Sequence, residues 1–494
     1  MGIWGSGLAI GHAKTVSPGP RRAINLASAL GVLACALGAA GCAGVPDLGP
    51  SPARTDPAAL ATGHAFAAPP AAWPSDRWWT AYGDPQLDSL IDAALRDSPT
   101  VALAEARLRR AQAAADRAGA DRGPALSANA AVEAVKQSYD QGFPVQFVPH
   151  AIHVGGRALL DFSQDFDFWG KNRAALAAAA SEARAAAADA AAARLVLSTA
   201  IASAYVELAR LEVGRDLAAQ ALRIREQTSG LVAQRVANGL DSMAERRQAE
   251  AGVARARETV AAVDETIGLA RNQIAALAGA GPDRGLEIVR PAAGLRRPFG
   301  LPANLAADLI GRRPDLVAAR WRAEAATRRI GVARAAFYPN VNLNAFIGFQ
   351  ALGLGNLLAA GSDAGAAGPA ISLPIFDSGR IRADFRGARA DSDAAIASYD
   401  SVLVGALREV ADAATSQRAL GGRLAASRAA LAASEEAYRL AQLRYRGRLA
   451  NFLTVLDAED RLLAARTAVA DLEARGFLLE IALIKALGGG FDMH

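Results

Sequence analysis

The side chains able to do chemistry are few and scattered. Five histidines occur among 494 residues, and the one pair with ligand-like spacing is His150-x-x-His153. It falls in an expected loop, where such a pair is far more often exposed than metal-bound. The two cysteines, Cys35 and Cys42, exclude a disulfide framework and a Cys-rich zinc site. No complete phosphate loop or nucleophile elbow is present, and Gly353-Leu354-Gly355 lacks the third glycine of a dinucleotide fingerprint. The expectation is a protein that is not an enzyme and holds no metal and no cofactor.

The chemistry that remains belongs to processing. Arg21 and Arg22 precede an apolar stretch from about Ile24 to Ala40, which ends in Ala39-Ala40-Gly41-Cys42. A basic start, a short apolar core and small residues before a cut site read as a secretory signal over 1–41. Small residues directly before a Cys resemble a bacterial lipobox, in which Cys42 is lipidated and becomes the new N-terminus. Ala39 stands where that pattern favours Leu; Val32-Leu33-Ala34-Cys35 is a weaker competitor, and a plain signal peptide is the alternative. Ala43, not Asp, follows Cys42, which implies the outer membrane. Removing this segment also removes Lys14, Arg21 and Arg22 from 54 basic residues, leaving 51 against 49 acidic ones. A balance of about +2 takes away the main support for nucleic-acid binding.

The residues that would position any function lie in two copies of one pattern. Pro99 and Pro314 each open a helical stretch, closed near Pro124 and Pro339, and these landmarks are offset by 215. Trp169-Gly170-Lys171 aligns with Ser378-Gly379-Arg380, and Arg235…Leu240 with Arg444…Leu449, at an offset of 209. The first copy therefore carries six extra residues in a loop. A hydrophobic fraction of 52% with only 6% aromatics, much of it Ala, suits long helices better than large cores. Each copy reads as a helix (84–122 and 303–337), a strand, a loop, a second strand and two long helices. The long helices are expected over 171–237 and 241–278, then 379–446 and 451–487. The resulting segments are a signal over 1–41, an anchored segment over 42–83, repeats over 84–279 and 303–488, a linker over 280–302 and a tail over 489–494.

Strands are expected near 124–136, 157–168, 339–350 and 369–377. In Asp161–Phe168, Asp161, Ser163, Asp165 and Asp167 alternate with Phe162, Gln164, Phe166 and Phe168. Asn340, Asn342 and Asn344 alternate with Val341, Leu343 and Ala345. Ser127, Asn129 and Glu133 alternate with Leu126, Ala128 and Val132, and Ile371, Leu373 and Ile375 with Ser372 and Pro374. Alternate side chains of a strand point to opposite faces, so this pattern fits a transmembrane barrel, although a half-buried soluble sheet gives it too. The outer-membrane address favours the barrel. Four strands do not close one, so several chains must share it.

Several ordered motifs carry a resemblance. They are Trp78-Trp79…Tyr82-Gly83-Asp84-Pro85-Gln86-Leu87-Asp88, Arg313-Pro314-Asp315, Ala335-Ala336-Phe337-Tyr338-Pro339, Leu373-Pro374-Ile375-Phe376-Asp377-Ser378-Gly379-Arg380 and Val455-Leu456-Asp457-Ala458. From about residue 42 onward the chain resembles the TolC-type outer-membrane efflux family, in its NodT-type lipoprotein branch. The resemblance implies an α+β membrane protein: a homotrimer with a shared twelve-stranded barrel, four strands per chain, continued by a long periplasmic α-helical barrel. It implies the exit duct of a tripartite efflux pump for small toxic compounds. The implied partners are a periplasmic adaptor, an inner-membrane transporter of RND type and outer-membrane lipid. A duct for protein secretion and a channel-less coiled-coil lipoprotein are the alternatives.

The resemblance also assigns roles. Asp161, Asp165, Asp167, Asn340, Asn342 and Asn344 would face the lumen. Gly239, Leu240 and Asp241, with Leu449 and Asn451, would form the adaptor-docking tips. Tyr445 and Asp457 match positions near the periplasmic constriction. The family's usual gate Arg falls on Ala450 and a usual acid on Thr454, so the latch is expected to be weaker or rebuilt with Arg444, Arg446 or Arg448. The family's tip glycine falls on Arg448, so the second turn is expected to differ in shape. Trp78 and Trp79 are read as either an interfacial anchor or packing beneath the first helix.

Overall fold

The chain folds as long helices separated by short capped breaks, because Ala, Leu, Arg and Glu runs favour helix and Pro, Gly, Ser and Asn punctuate them. The computed structural model describes residues 44–64, 66, 71–136, 138, 144, 146, 148, 150–291, 302, 309 and 311–492. Cys42 and the signal segment lie outside these residues. Leu48–His494 forms one unit.

Helix α1 spans Pro85–Asp97, with Pro85 in its first turn and the Asp84 carboxylate accepting the Gln86 and Leu87 N–H groups. The single helix expected over 84–122 is broken at Ser98, which is extended at φ −67°, ψ 130°. A residue before Pro avoids the helical region. Ser98 instead caps α2, Pro99–Ala120, by accepting the Thr100 N–H. Strands β1 (Ala125–Val135) and β2 (His153–Phe166) follow, then α3 (Lys171–Ala237), α4 (Met243–Leu277) and the one-turn α5 (Asp283–Leu286) within the expected linker. The second half runs α6 (Pro314–Ala335), β3 (Asn340–Leu352), β4 (Asp363–Ser372), α7 (Arg380–Arg446) and α8 (Phe452–Ala486). Residues 303–308, at the start of the expected second-copy helix, lie outside the described residues.

The four strands form one antiparallel sheet in the order β1-β2-β3-β4. The fourth strand lies earlier than the expected 369–377. Its Gly- and Ala-rich start shows little alternation, yet pairing with β3 runs from Phe349↔Asp363 to Asn340↔Ser372. Beyond that point Pro374 has no N–H to give a ladder. The strand is therefore defined by its neighbour more than by its own residues.

Below the sheet, α2, α3, α6 and α7 pack side by side; farther down, the neighbours are α4, α3, α8 and α7. The 67-residue α3 and α7 run through both levels and are about 100 Å long. By length and composition, α3 alone among the described residues passes as a membrane span. Its Ala-rich upper part packs instead on α2 and α6.

The upper and lower helices abut end to end, and glycine makes that possible. Gly279, just past α4, has φ +75°, and a Cβ there would lie 3.1 Å from Ser98 Cα. Its twin Gly488, just past α8, has φ +92°, and a Cβ would lie 1.9 Å from the Arg312 carbonyl oxygen. Beside it, buried Arg313 donates to Glu409 (2.7 Å), Asp315 (2.6 Å) and the Ala486 carbonyl (3.2 Å), clasping α6, α7 and α8. At the other joint, Trp78 and Trp79 are buried with Leu87, Leu90, Ile91, Tyr205 and Ile274. They pack beneath α1 and are no interfacial anchor. Tyr205 donates to Asp84 at 2.7 Å and accepts from Gln86 at 2.8 Å, tying α1 to α3.

Gly488→Ala combines a left-handed backbone with a backbone clash, and should cost about 3 kcal/mol. A thermal or urea melt of the purified protein would show it as a markedly lower midpoint, and an unchanged midpoint would contradict the tight joint.

Candidate functional site

Residues directly opposite in an antiparallel ladder share a face. Ser127 pairs with Asp161, Asp161 with Phe346, Ser163 with Asn344 and Asp165 with Asn342. Asn340, Asn342 and Asn344 in turn face Ser372, Ala370 and Gly368. One face thus collects Ser127, Asn129, Glu133, Arg157, Asp161, Ser163, Asp165, Asn340, Asn342 and Asn344, interrupted by Val135, Leu159, Phe346 and Leu352. Asn129 donates to Asp161 at 2.7 Å, and Arg157 lies 3.4 Å from Glu133. The other face carries Leu126, Val132, Leu160, Ile347, Phe349 and Ile371, all exposed, with Leu126 at 70%. A sheet polar on one side and exposed-apolar on the other suits a boundary between water and lipid.

Asp167 corrects its expected place. It follows β2, and its carboxylate accepts the N–H groups of Asn172 (3.0 Å) and Arg173 (2.8 Å) at the start of α3. Burial opposes its charge, but these donors and the Arg173 guanidinium outweigh burial and hold its pKa below the usual carboxylate value. Asp377 plays the same part at α7, accepting from Gly379 and Ile381. At the first of these junctions Trp169 stacks on Tyr338, between α6 and β3, at 4.5 Å and donates to the Pro339 carbonyl at 2.8 Å. Phe168, Ile375 and Phe376 stand exposed nearby in sequence.

At the far end, the two helical turns have one shape. Gly239 has φ +70° and its twin Arg448 has φ +63°. Leu240 N–H donates to the Arg235 carbonyl at 2.8 Å, and Leu449 N–H to the Arg444 carbonyl at 2.7 Å. The second turn therefore does not differ as expected; Arg448 takes the left-handed conformation because the hydrogen bonds that end α7 require it. Ser242 and Asn451 are twin caps, Ser242 in a capping box with Glu245 and Asn451 accepting from Thr454. Asn451 thus spends its carbonyl oxygen on α8. Leu240 and Leu449 are exposed on the turns, Leu449 at 73%.

The structure separates Tyr445 from Asp457. Tyr445 is buried and donates to Asp241 at 2.8 Å. Arg235 binds the same carboxylate through two bonds of 2.8 and 3.0 Å, and its guanidinium lies 4.6 Å from the Tyr445 ring centroid. The expected replacements Arg444, Arg446 and Arg448 do not supply this guanidinium; Arg235 does. Its signal was present in the repeat alignment, since Arg235 and Asp241 align with Arg444 and Ala450, so only the first copy keeps the acid. Asp457 sits on the exposed face of α8, 3.0 Å from Arg461 one turn on. Hydrogen bonding from Arg235, against burial, and then from Tyr445 lowers the Asp241 pKa. Burial and the Asp241 contact push the Tyr445 phenol well above its usual value.

Higher on the same helices, Glu459 is buried against Arg225 at 3.1 Å. Burial raises its pKa, with Arg225 acting against that. Among the described residues no group of His, Cys, Asp and Glu is placed to hold a metal. His153 Nε2 instead lies 2.7 Å from the His150 carbonyl.

A two-faced sheet continued by a wall of very long helices defines the class: a channel-forming outer-membrane protein. A family model described as "Outer membrane efflux protein" matches residues 90–280 and 305–489, and the chain belongs to that family. The chain is 39% identical over 374 residues to the fusaric acid resistance protein FusA of Burkholderia cepacia, covering 73% of this chain and 69% of that one. It is 30% identical over 427 residues to the multidrug resistance outer membrane protein MdtP of Escherichia coli K12, covering 85% and 87%. The solved outer membrane protein VceC of Vibrio cholerae superimposes with a TM-score of 0.80 at 44% identity, over 85% of this chain and 100% of that one. The outer-membrane channel OprN gives 0.79 at 29%, over 91% and 100%. This protein is an outer-membrane efflux channel.

The tip gives two expectations. Tyr445→Phe and Asp241→Asn each break the cross-repeat contact, and either should raise single-channel conductance in planar bilayers; unchanged conductance would reject the contact as part of the gate. Because the folded Asp241 pKa is depressed, the contact contributes fully above the ordinary carboxylate pKa and is lost only as pH falls through the lower folded value. Arg448→Gly relieves a left-handed backbone and should stabilise the chain by about 1 kcal/mol, read as a raised unfolding midpoint.

Proposed function

We infer that three copies of this chain close a shared twelve-stranded barrel and a helical tube beneath it, forming the exit duct of a tripartite pump. The observation that carries this reading is the pair of free edges on a two-faced sheet. Among the described residues, strand β1 lacks a neighbour on one side and β4 on the other. Backbone groups exposed to lipid require partners. With an even number of antiparallel strands, β4 of one copy meets β1 of the next in antiparallel sense, so the seam repeats the ladder within the chain. The helical wall offers matching edges at α2 with α4 and at α7.

In this assembly the apolar face meets lipid, and Asp161, Asp165, Asn340, Asn342 and Asn344 line the water-filled lumen. Trp169, Phe168 and Phe376 sit at the periplasmic interface, where aromatic rings favour the headgroup region. Cys42 carries the lipid anchor. The turns at Gly239–Asp241 and Leu449–Asn451 dock the periplasmic adaptor, with Leu240 and Leu449 as apolar contacts, and an inner-membrane transporter supplies the energy. Asp457, exposed on α8, belongs to the constriction as a ring of repeated carboxylates. The transported class is small toxic compounds, which the names of FusA and MdtP support.

Glu133, Asp161 and Asp165 outnumber Arg157 on the polar face, so the barrel should favour cations. Asp161→Asn with Asp165→Asn should shift the reversal potential in a salt gradient toward zero; an unaltered potential would place these residues off the conduction path. Cysteines at Leu240 and Leu449 should crosslink to a periplasmic adaptor in cells. Cross-links to no adaptor, with folded channel present, would reject tip docking.

A further inference from the structure

Just below the sheet, α3, α6, α7 and the N-terminal segment enclose a cleft of about 1150 Å³. The segment is held along α6 and α7. Arg389 donates to the carbonyls of Gly49 (3.1 Å) and Pro50, and Thr55 N–H donates to Asp400 at 2.9 Å. Leu60 packs on Leu316, Tyr399 and Leu403. Arg54, Arg173, Arg320 and Arg328 line the cleft with one carboxylate, Glu324, which accepts from Arg328 at 3.3 Å. Nearby carboxylates are already engaged, and of these only Asp167 meets a cleft arginine. Asp400 accepts from Thr55, Asp56 accepts the Ala58 N–H, and Asp167 caps α3 and lies 3.4 Å from Arg173. Among the described residues, Arg54 lies over the Tyr399 ring at 5.8 Å and Arg320 over the Trp321 ring at 5.3 Å, neither paired with a carboxylate.

Depth and side select the ligand. Arg173 lies in the first turn of α3, directly after the sheet. Arg328 lies two turns before the end of α6, about 10 Å below it. A segment that leads back to a lipidated Cys42 must run on the bilayer side of the tube wall, because acyl chains do not enter a wet lumen. The cleft that this segment roofs therefore opens toward the inner leaflet of the outer membrane. We propose that it binds the phosphate headgroup of an anionic phospholipid. Guanidinium groups bind phosphate oxygens through paired, charge-assisted bonds. The placement rests on the anchored, lipid-side reading above, whereas the excess of guanidinium groups does not.

The test uses the full chain reconstituted in nanodiscs of phosphatidylethanolamine with a minor fraction of phosphatidylglycerol. Lipid retained after delipidating washes is measured by mass spectrometry. Phosphatidylglycerol should be enriched, and Arg54→Ala with Arg320→Ala and Arg328→Ala should lower its retention about tenfold. Arg247→Ala, at the far tip, should leave retention unchanged. Glu324→Gln keeps every guanidinium and should raise retention, so it decides the matter if the triple variant does not assemble. Equal retention of both lipids, unchanged retention in the triple variant or lowered retention in Glu324→Gln overturns the proposal. Complete displacement by inorganic phosphate overturns it too, in favour of a free-anion site. A Cys42→Ser chain separates the two readings: retained enrichment without a lipidated N-terminus upholds the site and leaves anchoring to its own measurement.

Discussion

A peptide group surrounded by hydrocarbon has no water to bond, so its N–H and C=O must find partners in protein. Among the described residues this chain supplies those partners for three ladders and leaves two edges open. The proposed assembly follows from that shortfall. The strands come as two hairpins because the chain is two copies of one unit. Their number is even, so the two open edges run in opposite senses, as adjacent strands within the sheet do. The helices below inherit the spacing, since β2 and β4 each hand over to a helix within a few residues through the Asp167 and Asp377 caps. The stacked Trp169 and Tyr338 tie the β2–α3 handover to the junction of α6 and β3.

The helical wall meets a different constraint. A helix of 67 residues needs support along its length, but each repeat provides its neighbours in two shorter pieces. The pieces must butt closely, which brings backbone against backbone and leaves no room for a side chain at Gly488. Packing here is by proximity of small residues, with compact clusters of large ones only where the two levels meet and near the tips. The apolar composition is therefore spread along seams.

Duplication alone would make the two tips equivalent, and the departures from equivalence create a contact between the repeats. The first copy keeps Arg235 with Asp241; the second has Arg444 with Ala450. Tyr445, which aligns with Val236, reaches across to the first copy's acid. The contact thus joins the repeats and closes one protomer's tip upon itself. Arg448 bears backbone strain where its twin is glycine, with the same turn preserved by the same carbonyl bond.

Periodicity made much of this legible. Alternation marked three strands, proline and polar caps marked helix ends, and the repeat offset paired the joints and turns. These are local signals, written in residues adjacent in the chain. The sequence by itself determined the repeated element order and the two-faced character of the strands. Only tertiary structure decided the start of β4, whose small residues become a strand because β3 offers a ladder. It also decided that Asp167 caps a helix, that Tyr445 belongs with Asp241 and Arg235, and that Asp457 stands apart. Those choices depend on which carboxylate lies within hydrogen-bond reach of which donor. That distance is set by how helices pack, and no spacing along the chain encodes it directly.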